Sequence, residues 1–451
     1  MKKIIVAFAA GTLIASSPAF ADEAELKAEI QQLRQQLEVQ AAQLNAQGAL
    51  LTKLQAQADA LTGERPKALA AVPAATDSAA APAAPSPTAP ASAVAEAAPE
   101  LPATTFFGYG EMNYENYPRD RSQTQADLAR AVIGMEHTFD DKTRFASEFE
   151  WEHAVTSATD QGESEVEQFY IERSLTPQLA ARAGLFLIPS GMLNTAHEPT
   201  QYFGVTRDFV DLAIIPTTWR EGGVGITGIT DSGLTWDIGI TTGFDLAKWD
   251  PTSLEGKASP LGSIHQELQL AKAADLAAFV ALNWRGYPGL LLGGSVFSGK
   301  AGQDQPDFPS QNAVVTLAEA HARWTPGPLD LSAQYAFGHI SDTAPYNQTI
   351  LGSPTLVPQD FYGWYLQAAW YAWQHGDSQL APFARYERFN TASKYATLAD
   401  NLTPAALPTE GVFTLGASFY LTPNIVVKAD YQWFHVDTQS DRFQLGLGLN
   451  F

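Results

Sequence analysis

The stretch Asp441-Arg442-Phe443-Gln444-Leu445-Gly446-Leu447-Gly448-Leu449-Asn450-Phe451 alternates strictly between two kinds of residue. One parity is wholly apolar, and the other is small or polar. A period of two residues indicates a β-strand with one apolar face. An apolar face that runs to an aromatic last residue is typical of a strand that closes an outer-membrane barrel, with lipid outside and a wet lumen inside. A strand of a soluble protein is the alternative.

Residues 1–21 have the features of a cleavable secretory signal. Lys2 and Lys3 precede an apolar run from Ile4 to Ile14, and Ala19-Phe20-Ala21 forms an A-x-A cleavage site. The apolar run is too short to span a bilayer as a helix. We therefore expect cleavage after Ala21 and export of the remaining chain.

The composition excludes several classes of protein. The chain contains no cysteine, which excludes a disulfide scaffold, a thiol nucleophile and a Cys-ligated metal. No run of eighteen apolar residues follows the signal, so no transmembrane helix is expected. The formal net charge is −22, whereas nucleic-acid binding needs a basic surface.

Residues 22–103 predict a helix and a linker. Apolar residues recur in steps of three, four and seven over residues 22–61, with Gln40 and Gln47 at core positions. This heptad predicts a coiled coil, and a single amphipathic helix is the alternative. Residues 62–103 are rich in Ala and Pro without periodicity, which is typical of a semi-extended linker.

From residue 104 onward, sixteen alternating segments of about ten residues are separated by turn signals. An even number of such segments predicts an all-β fold, a 16-stranded antiparallel transmembrane β-barrel over residues 104–451. The expected strands are 105–116, 128–139, 143–155, 164–175, 178–188, 221–230, 234–245, 275–285, 289–299, 313–325, 329–340, 360–374, 379–389, 409–421, 424–436 and 441–451.

The connections alternate between tight turns, such as Asp140-Asp141-Lys142 and Thr422-Pro423, and longer loops, such as 189–220 and 246–274. Short connections on one side and long ones on the other are typical of bacterial outer-membrane barrels. We expect the short turns and the helical segment to lie in the periplasm. A short helix is expected over residues 260–274.

The faces of several strands follow from their alternation. Phe169 and Tyr170 favour opposite parities, so the fourth strand stays ambiguous. Aromatic residues near the strand ends predict interfacial girdles, formed by Trp151, Trp236, Trp284, Trp324, Trp364, Trp370 and Tyr386. The lipid-facing sets are Phe413, Leu415, Ala417, Phe419 and Leu421 in one strand and Val427, Ala429, Tyr431 and Trp433 in the next, with Lys428, Asp430 and Gln432 turned inward.

Residues 166–228 resemble the phosphate-selective porin O and P family. The resemblance rests on Phe169-Tyr170-Ile171-Glu172, on the run from Ala181 to Gly191 with its R-x-G-x-F-x-x-P-x-G pattern, and on Arg220-Glu221-Gly222-Gly223-Val224. It implies a sixteen-stranded trimeric channel whose third outer loop folds inward. A coiled coil before the barrel also occurs among related trimeric porins.

Phosphate selectivity itself is not expected from the charges. A phosphate path needs several Arg and Lys side chains concentrated in the lumen. Residues 104–451 hold 20 basic and 39 acidic residues. Small anions or organic acids, attracted by arginines at lumen parity, are the expected solutes.

The candidate pore residues are charged or aromatic side chains at lumen parity or in the third outer loop. Arginines facing carboxylates across a narrowing create a transverse field that orients polar solutes. Ordinary ion pairing is the alternative for each residue. The set comprises Arg130, Arg182, Arg207, Arg220, Glu111, Glu148, Asp208, Asp211 and Tyr202.

The expected function is therefore passive diffusion of small hydrophilic solutes across the bacterial outer membrane by a homotrimer. The ending at Leu447, Leu449 and Phe451 predicts recognition by the barrel-assembly machinery, as the resemblance implies. One alternative is an envelope tether whose coiled coil reaches peptidoglycan. Another is a barrel hydrolase, although no catalytic motif is present and no histidines have metal-ligand spacing. No cofactor and no enzymatic activity are expected.

Overall fold

The computed structural model describes residues 103–157 and 159–451. The predicted signal peptide, the coiled coil and all of the linker except Ala103 lie outside the described residues. The described chain forms one antiparallel sheet that closes on itself, because the first strand pairs with both the second and the last. The predicted 16-stranded barrel is confirmed, and closure leaves no unpaired sheet edge.

Every strand pairs with its neighbours in the sequence. The twelfth strand is interrupted at residues 371 and 372 and resumes at Trp373–His375, which continues the pairing with the thirteenth. The strands are β1 Ala103–Asn116, β2 Gln125–Thr138, β3 Thr143–Glu152, β4 Ser164–Thr176, β5 Leu179–Leu187, β6 Arg220–Ile229, β7 Leu234–Thr242, β8 Leu276–Tyr287, β9 Leu290–Lys300, β10 Val314–Trp324, β11 Leu329–Ile340, β12 Asp360–Trp370 with its continuation, β13 Ser378–Lys394, β14 Glu410–Thr422, β15 Ile425–Phe434 and β16 Arg442–Asn450.

The helical elements of the described chain are short and lie in the long loops. Two are α-helical: α1 Glu255–Ala258 and α2 Ala344–Thr349. Val210–Ile214 forms one π-helical turn. The 3-10 turns are Arg121–Gln123, Leu246–Lys248, Gly262–Ile264, Ala399–Asn401 and Thr438–Ser440. No helix among the described residues is long and apolar enough to cross a membrane.

The last strand shows why this sequence forms a barrel. Phe443, Leu445, Leu447 and Leu449 are each 38–42% exposed on the outside, whereas Gln444 is fully buried inside. The strand pairs with β1 from Tyr109 to Asn116, and Phe451 continues that pairing by hydrogen bonds with Gly108 in both directions. An apolar exterior over a polar interior matches a lipid bilayer outside the wall.

The predicted faces of β14 and β15 are also observed. Phe413, Leu415, Val427 and Trp433 are exposed on the outside, and the polar residues of the opposite parity are buried inside. Large aromatic side chains project outward near the strand ends, which fits the predicted girdles. Among them are Trp151, Trp324 and Trp370, each 43–52% exposed, whereas Tyr386, 44% exposed, lies at the middle of β13.

A bulge resolves the ambiguous fourth strand. The register between β3 and β4 shifts after Glu148, which pairs with Gln168, while the next residue, Phe149, pairs with Val166. The extra residue reverses the parity along β4. Phe169 therefore faces outward with 53% exposure, and Tyr170 turns inward.

The prediction of a short helix over residues 260–274 was wrong. Only Gly262–Ile264 forms a 3-10 turn, and Glu267, Leu268 and Leu270 have positive φ values of 51°, 57° and 51°. The side chain of Gln266 donates to the carbonyls of Gly243 and Lys272 and accepts from the N–H of Lys272. These hydrogen bonds hold the segment in an irregular turn that its helical spacing does not predict.

Candidate channel constriction

The third long loop, residues 188–219 and hereafter loop 3, is closed at its base by Asn194. This side chain is 3% exposed. Its amide donates to the carbonyls of Ile188 (2.7 Å) and Trp219 (2.8 Å), and its Oδ1 accepts from the N–H of Trp219 (2.6 Å). Trp219 is fully buried and stacks on Phe244. Asn194 therefore joins the two ends of the loop where it leaves the wall.

Beyond its base, loop 3 reaches the opposite wall of the barrel. The N–H of Val205 donates to Oδ2 of Asp430 on β15 (2.6 Å). The N–H of Phe209 donates to Oε2 of Glu387 on β13 (2.6 Å). Charge-assisted hydrogen bonds of this kind are stronger than neutral ones. Since β13 and β15 lie across the barrel from β5 and β6, the loop lies inside the lumen.

Two inward-facing glycines of β16 make room for loop 3. A Cβ at Gly446 would lie 3.1 Å from Cγ1 of Val205, and one at Gly448 would lie 2.5 Å from Cβ of Pro199. A glycine inside a strand often marks the close approach of another segment. The inward face of the last strand, which carries the small residues, is thus the surface that loop 3 crosses.

Gly448→Val is expected to displace loop 3 around Pro199. The backbone at position 448 is held by pairing with Glu111 and Val426, so the loop must yield instead. Overpacking of this kind costs about 1–3 kcal/mol. Single-channel recording should show an altered conductance, while Leu449→Val on the outward parity should leave it unchanged. An unaltered Gly448→Val channel would contradict the described contact.

Three of the predicted residues form one network beside loop 3. Arg130 donates from Nε to Glu111 (2.8 Å), and the hydroxyl of Tyr202 donates to the other oxygen of Glu111 (2.7 Å). Arg130 also donates to the carbonyl of His197 (2.5 Å). Nζ of Lys428 lies 3.6 Å from the centroid of the Tyr202 ring, a cation–π contact. The network connects β1, β2 and β15 to the loop.

Arg207, Asp208 and Asp211 shape the inner turn of loop 3. Arg207 donates to the Thr218 hydroxyl (3.2 Å). Oδ1 of Asp208 accepts from the N–H groups of Val210 and Asp211 (3.0 Å each), so it caps the π-helical turn. Burial and the nearby Asp208 carboxylate raise the pKa of Asp211 well above its usual value. Burial also raises the pKa of Asp208, although Arg385 opposes the shift.

Asp211→Asn is expected to stabilise the barrel increasingly as the pH rises. A raised pKa in the folded state favours the protonated carboxyl, so its contribution is fully present below the unfolded pKa of about 3.9. That contribution is lost as the pH rises through the folded pKa. Asparagine stays neutral and can still accept from Gln334, as Oδ1 of Asp211 does (3.3 Å). Thermal unfolding between low and neutral pH should show the gap widening, and a constant gap would refute this.

The remaining predicted residues lie inside the barrel but outside this network. Arg182 pairs with Asp237 of β7 (3.6 Å). Arg220 pairs with Glu165 (2.5 Å) and with Glu267 of the fourth long loop (3.0 Å). Glu148 belongs to a buried acidic cluster near the base of loop 3, in the same group as Glu167 and His197.

Arg385 and Glu387 bind loop 3, but the sequence did not predict them as pore residues. Arg385 donates to Glu387 (2.8 Å) and to the loop carbonyls of Phe203 (3.4 Å) and Arg207 (3.2 Å). Both side chains are at most 2% exposed. Their alternating positions on β13 indicate the inward face. Nothing in that spacing shows which segment they contact.

Two cavities lie on either side of loop 3, and Tyr202 lines both. The outer cavity, about 150 Å³, is lined on the long-loop side by Glu111, Arg130, Glu152 and Arg207 among others. The inner cavity, about 180 Å³, lies toward the short turns and includes Asp208 and three arginines, Arg285, Arg323 and Arg385. Arg285 and Arg323 also line a third cavity, about 330 Å³, at the short turns themselves.

Comparisons with known proteins place the barrel among similar folds. No protein-family model matches the chain. An uncharacterized protein of Aquifex aeolicus (strain VF5) is 29% identical over 335 residues, 72% of this chain and 74% of that protein. OmpF of Salmonella typhi, solved in complex with daunomycin, has a TM-score of 0.53 and 14% identity over 77% of this chain and 97% of that chain.

The outer membrane channel DcaP of Acinetobacter baumannii is a second similar structure. Its TM-score is 0.51 and its identity 11%, over 78% of this chain and 97% of that chain. At these identities the likeness shows the fold alone, a barrel of the kind that outer-membrane channels use.

Proposed function

We propose that this protein is an outer-membrane porin that passes small hydrophilic solutes by passive diffusion. The observation that carries this is loop 3, which crosses the lumen and is hydrogen-bonded to Asp430 and Glu387 on the far wall. A loop held in this way narrows the aqueous path between the outer and inner cavities. Wall charges at such a narrowing set the preference among solutes.

The exposed charges of the inner path favour anions. Arg285 is exposed, and Arg323 keeps 38% of its side chain accessible. The partner of Arg323, Asp330, is only 2% exposed behind it (2.5 Å). In the cavity at this part of the short-turn mouth, a solute therefore meets the guanidinium groups of Arg285 and Arg323, whereas the exposed carboxylates of Asp140, Asp231 and Asp377 lie on other short turns. Small organic acids carry the charge that this mouth attracts.

Reversal potentials in planar bilayers under a salt gradient test the proposal. We expect anion preference in the wild type and a roughly fivefold lower anion-to-cation permeability ratio for Arg285→Glu. Reversing one charge about 8 Å from a permeant ion shifts the energies of an anion and of a cation in opposite directions by about 1 kcal/mol each in water. Screening at about 0.1 M salt roughly halves the combined difference. High salt should reduce the difference by screening.

Arg121→Glu is the matched control, because it makes the same charge change on an exposed 3-10 turn of the first long loop. It should leave the permeability ratio near the wild-type value. Cation preference in the wild type would refute the anion proposal while leaving the channel itself intact. A purified barrel without conductance would refute the channel.

The resemblance also supports a homotrimer with a periplasmic coiled coil at residues 22–61, inserted by the barrel-assembly machinery. Phe451 fits such an ending, because it extends the pairing with β1 and keeps 70% of its side chain exposed. Detergent-purified protein should run as a trimer that heat dissociates. A monomer before heating would exclude the trimer.

A further inference from the structure

At the base of loop 3, His197 meets two glutamates of the barrel wall. Glu148 of β3, Glu167 of β4 and His197 each place one potential ligand atom within 4.8 Å of the others. Their exposures are 8%, 0% and 3%. At this burial, water does not hydrate the carboxylates, so another group must balance their charge.

Each carboxylate of this cluster has one oxygen without a partner. Oε2 of Glu148, Oε1 of Glu167 and Oε1 of the nearby Glu150 are buried without a hydrogen-bond partner among the described residues. The arginines on either side form their ion pairs with other carboxylates, and Nη1 of Arg130 and Nε of Arg220 are buried without a partner among the described residues. Arg130 pairs with Glu111, and Arg220 pairs with Glu165 and Glu267. Carboxylates sharing a buried site need a cation or protons between them.

The imidazole of His197 is oriented as a metal ligand. Its Nδ1 lies 3.0 Å from the carbonyl of Asn194, which can only accept, so the proton belongs on Nδ1. The lone pair of Nε2 then faces the hydroxyl of Tyr109 (2.6 Å) and, farther away, Oε1 of Glu167 (3.6 Å). Metal-binding histidines usually donate their other N–H in this manner. The single hydroxyl proton of Tyr109 can go to Nε2 of His197 or to Oε2 of Glu167 (2.8 Å), and a metal ion on Nε2 would leave it to Glu167.

We propose that Glu148, Glu167 and His197 bind a divalent first-row transition-metal ion, with Zn²⁺ as the probe, that fastens loop 3 to β3 and β4. One imidazole and two carboxylates form a ligand set that zinc accepts, with a fourth position for water or Glu150. Ca²⁺ and Mg²⁺ prefer oxygen ligands throughout. The three ligands come from separate elements, so no motif spacing shows them. The site does not depend on which solute passes.

The test uses the full chain, purified without a histidine tag, stripped with EDTA and titrated with Zn²⁺ by calorimetry, with metal content measured in parallel. We expect one Zn²⁺ per chain and at least tenfold weaker binding of Ca²⁺ and Mg²⁺. Glu148→Gln and His197→Gln should each weaken Zn²⁺ binding by at least about tenfold. His339→Gln is the control, since His339 pairs with Asp360 at a partly exposed position on β11.

Binding to the wild type decides the question even where a variant fails to fold. Substoichiometric zinc in the wild type, or unchanged affinity in His197→Gln, would overturn the site. If Glu148→Gln stabilises the metal-free barrel and the wild type binds no zinc, the carboxyl groups share protons instead of a metal ion. That result would also overturn the site. Stoichiometric zinc that raises the unfolding temperature of the wild type and not of His197→Gln supports it.

Discussion

Asn194→Ala is expected to lower the free energy of unfolding by about 2–6 kcal/mol and to give a larger, noisier single-channel conductance. The substitution leaves the N–H of Trp219 buried without a partner, at about 1–3 kcal/mol, and removes the amide hydrogen bonds to the carbonyls of Ile188 and Trp219, at about 0.5–1.5 kcal/mol each. The carbonyl of Ile188 keeps the hydrogen bond from the N–H of Ser190 (2.7 Å). Trp219 keeps the hydrogen bond from the N–H of Ile188 to its carbonyl (2.9 Å), so the base weakens without losing every tie. A loop with a loose base no longer holds one position in the lumen.

Asn347→Ala tests whether the change in conductance comes from loop 3 or from general destabilisation of the barrel. Asn347 is fully buried and closes a different loop in the same manner, donating to the carbonyl of Val357 (2.8 Å) and accepting from its N–H (2.8 Å). We expect a similar loss of stability with wild-type conductance. Denaturant unfolding and single-channel recording on both variants check this. Equal changes of conductance in the two variants would show that loop 3 does not set the narrowing.

The sequence predicts the barrel well because lipid imposes the pattern. Outward positions must be apolar and inward ones need not be, so a two-residue period marks each wall strand. The two-residue period fails at strand ends, because residues beyond the bilayer need not be apolar on their outward side. The thirteenth strand was expected to end at residue 389, but it continues to Lys394, which pairs with Asp360 above the apolar part of the wall.

The constriction was only partly predictable, because a period assigns a face and not a partner. The inward parity placed Glu111 and Arg130 in the lumen, and the loop length indicated where Tyr202 would lie. Asp430 was recognised as inward, yet nothing in β15 shows that it receives the N–H of Val205. Gly446 and Gly448 could have predicted the contact of loop 3 with β16, because inward-facing glycines in a strand often mark the close approach of another segment.

Arg385→Ala is expected to release the inner turn of loop 3 and to destabilise the barrel by about 3–5 kcal/mol, because it leaves Glu387 as a buried unpaired charge. Both side chains are buried, and their charged atoms are 2.8 Å apart. The loop loses two hydrogen bonds to its carbonyls, at Phe203 and Arg207. Arg173→Ala is the milder control, because Arg173 and its partner Asp140 are 55% and 51% exposed, so water can hydrate the carboxylate that is left.

A second pair of variants separates the effect of the buried charge on stability from the effect of the β13 contacts on the position of loop 3. Arg385→Met combined with Glu387→Leu removes both buried charges, so stability should recover relative to Arg385→Ala, since apolar replacements of buried ion pairs are often neutral. The N–H of Phe209 still loses its acceptor, so conductance should stay altered. Glu387→Gln keeps an acceptor for that N–H and should keep loop 3 in place. Wild-type conductance in the double variant would mean that Asp430 and the base of loop 3 suffice to hold it, because the contacts of β13 would then be dispensable.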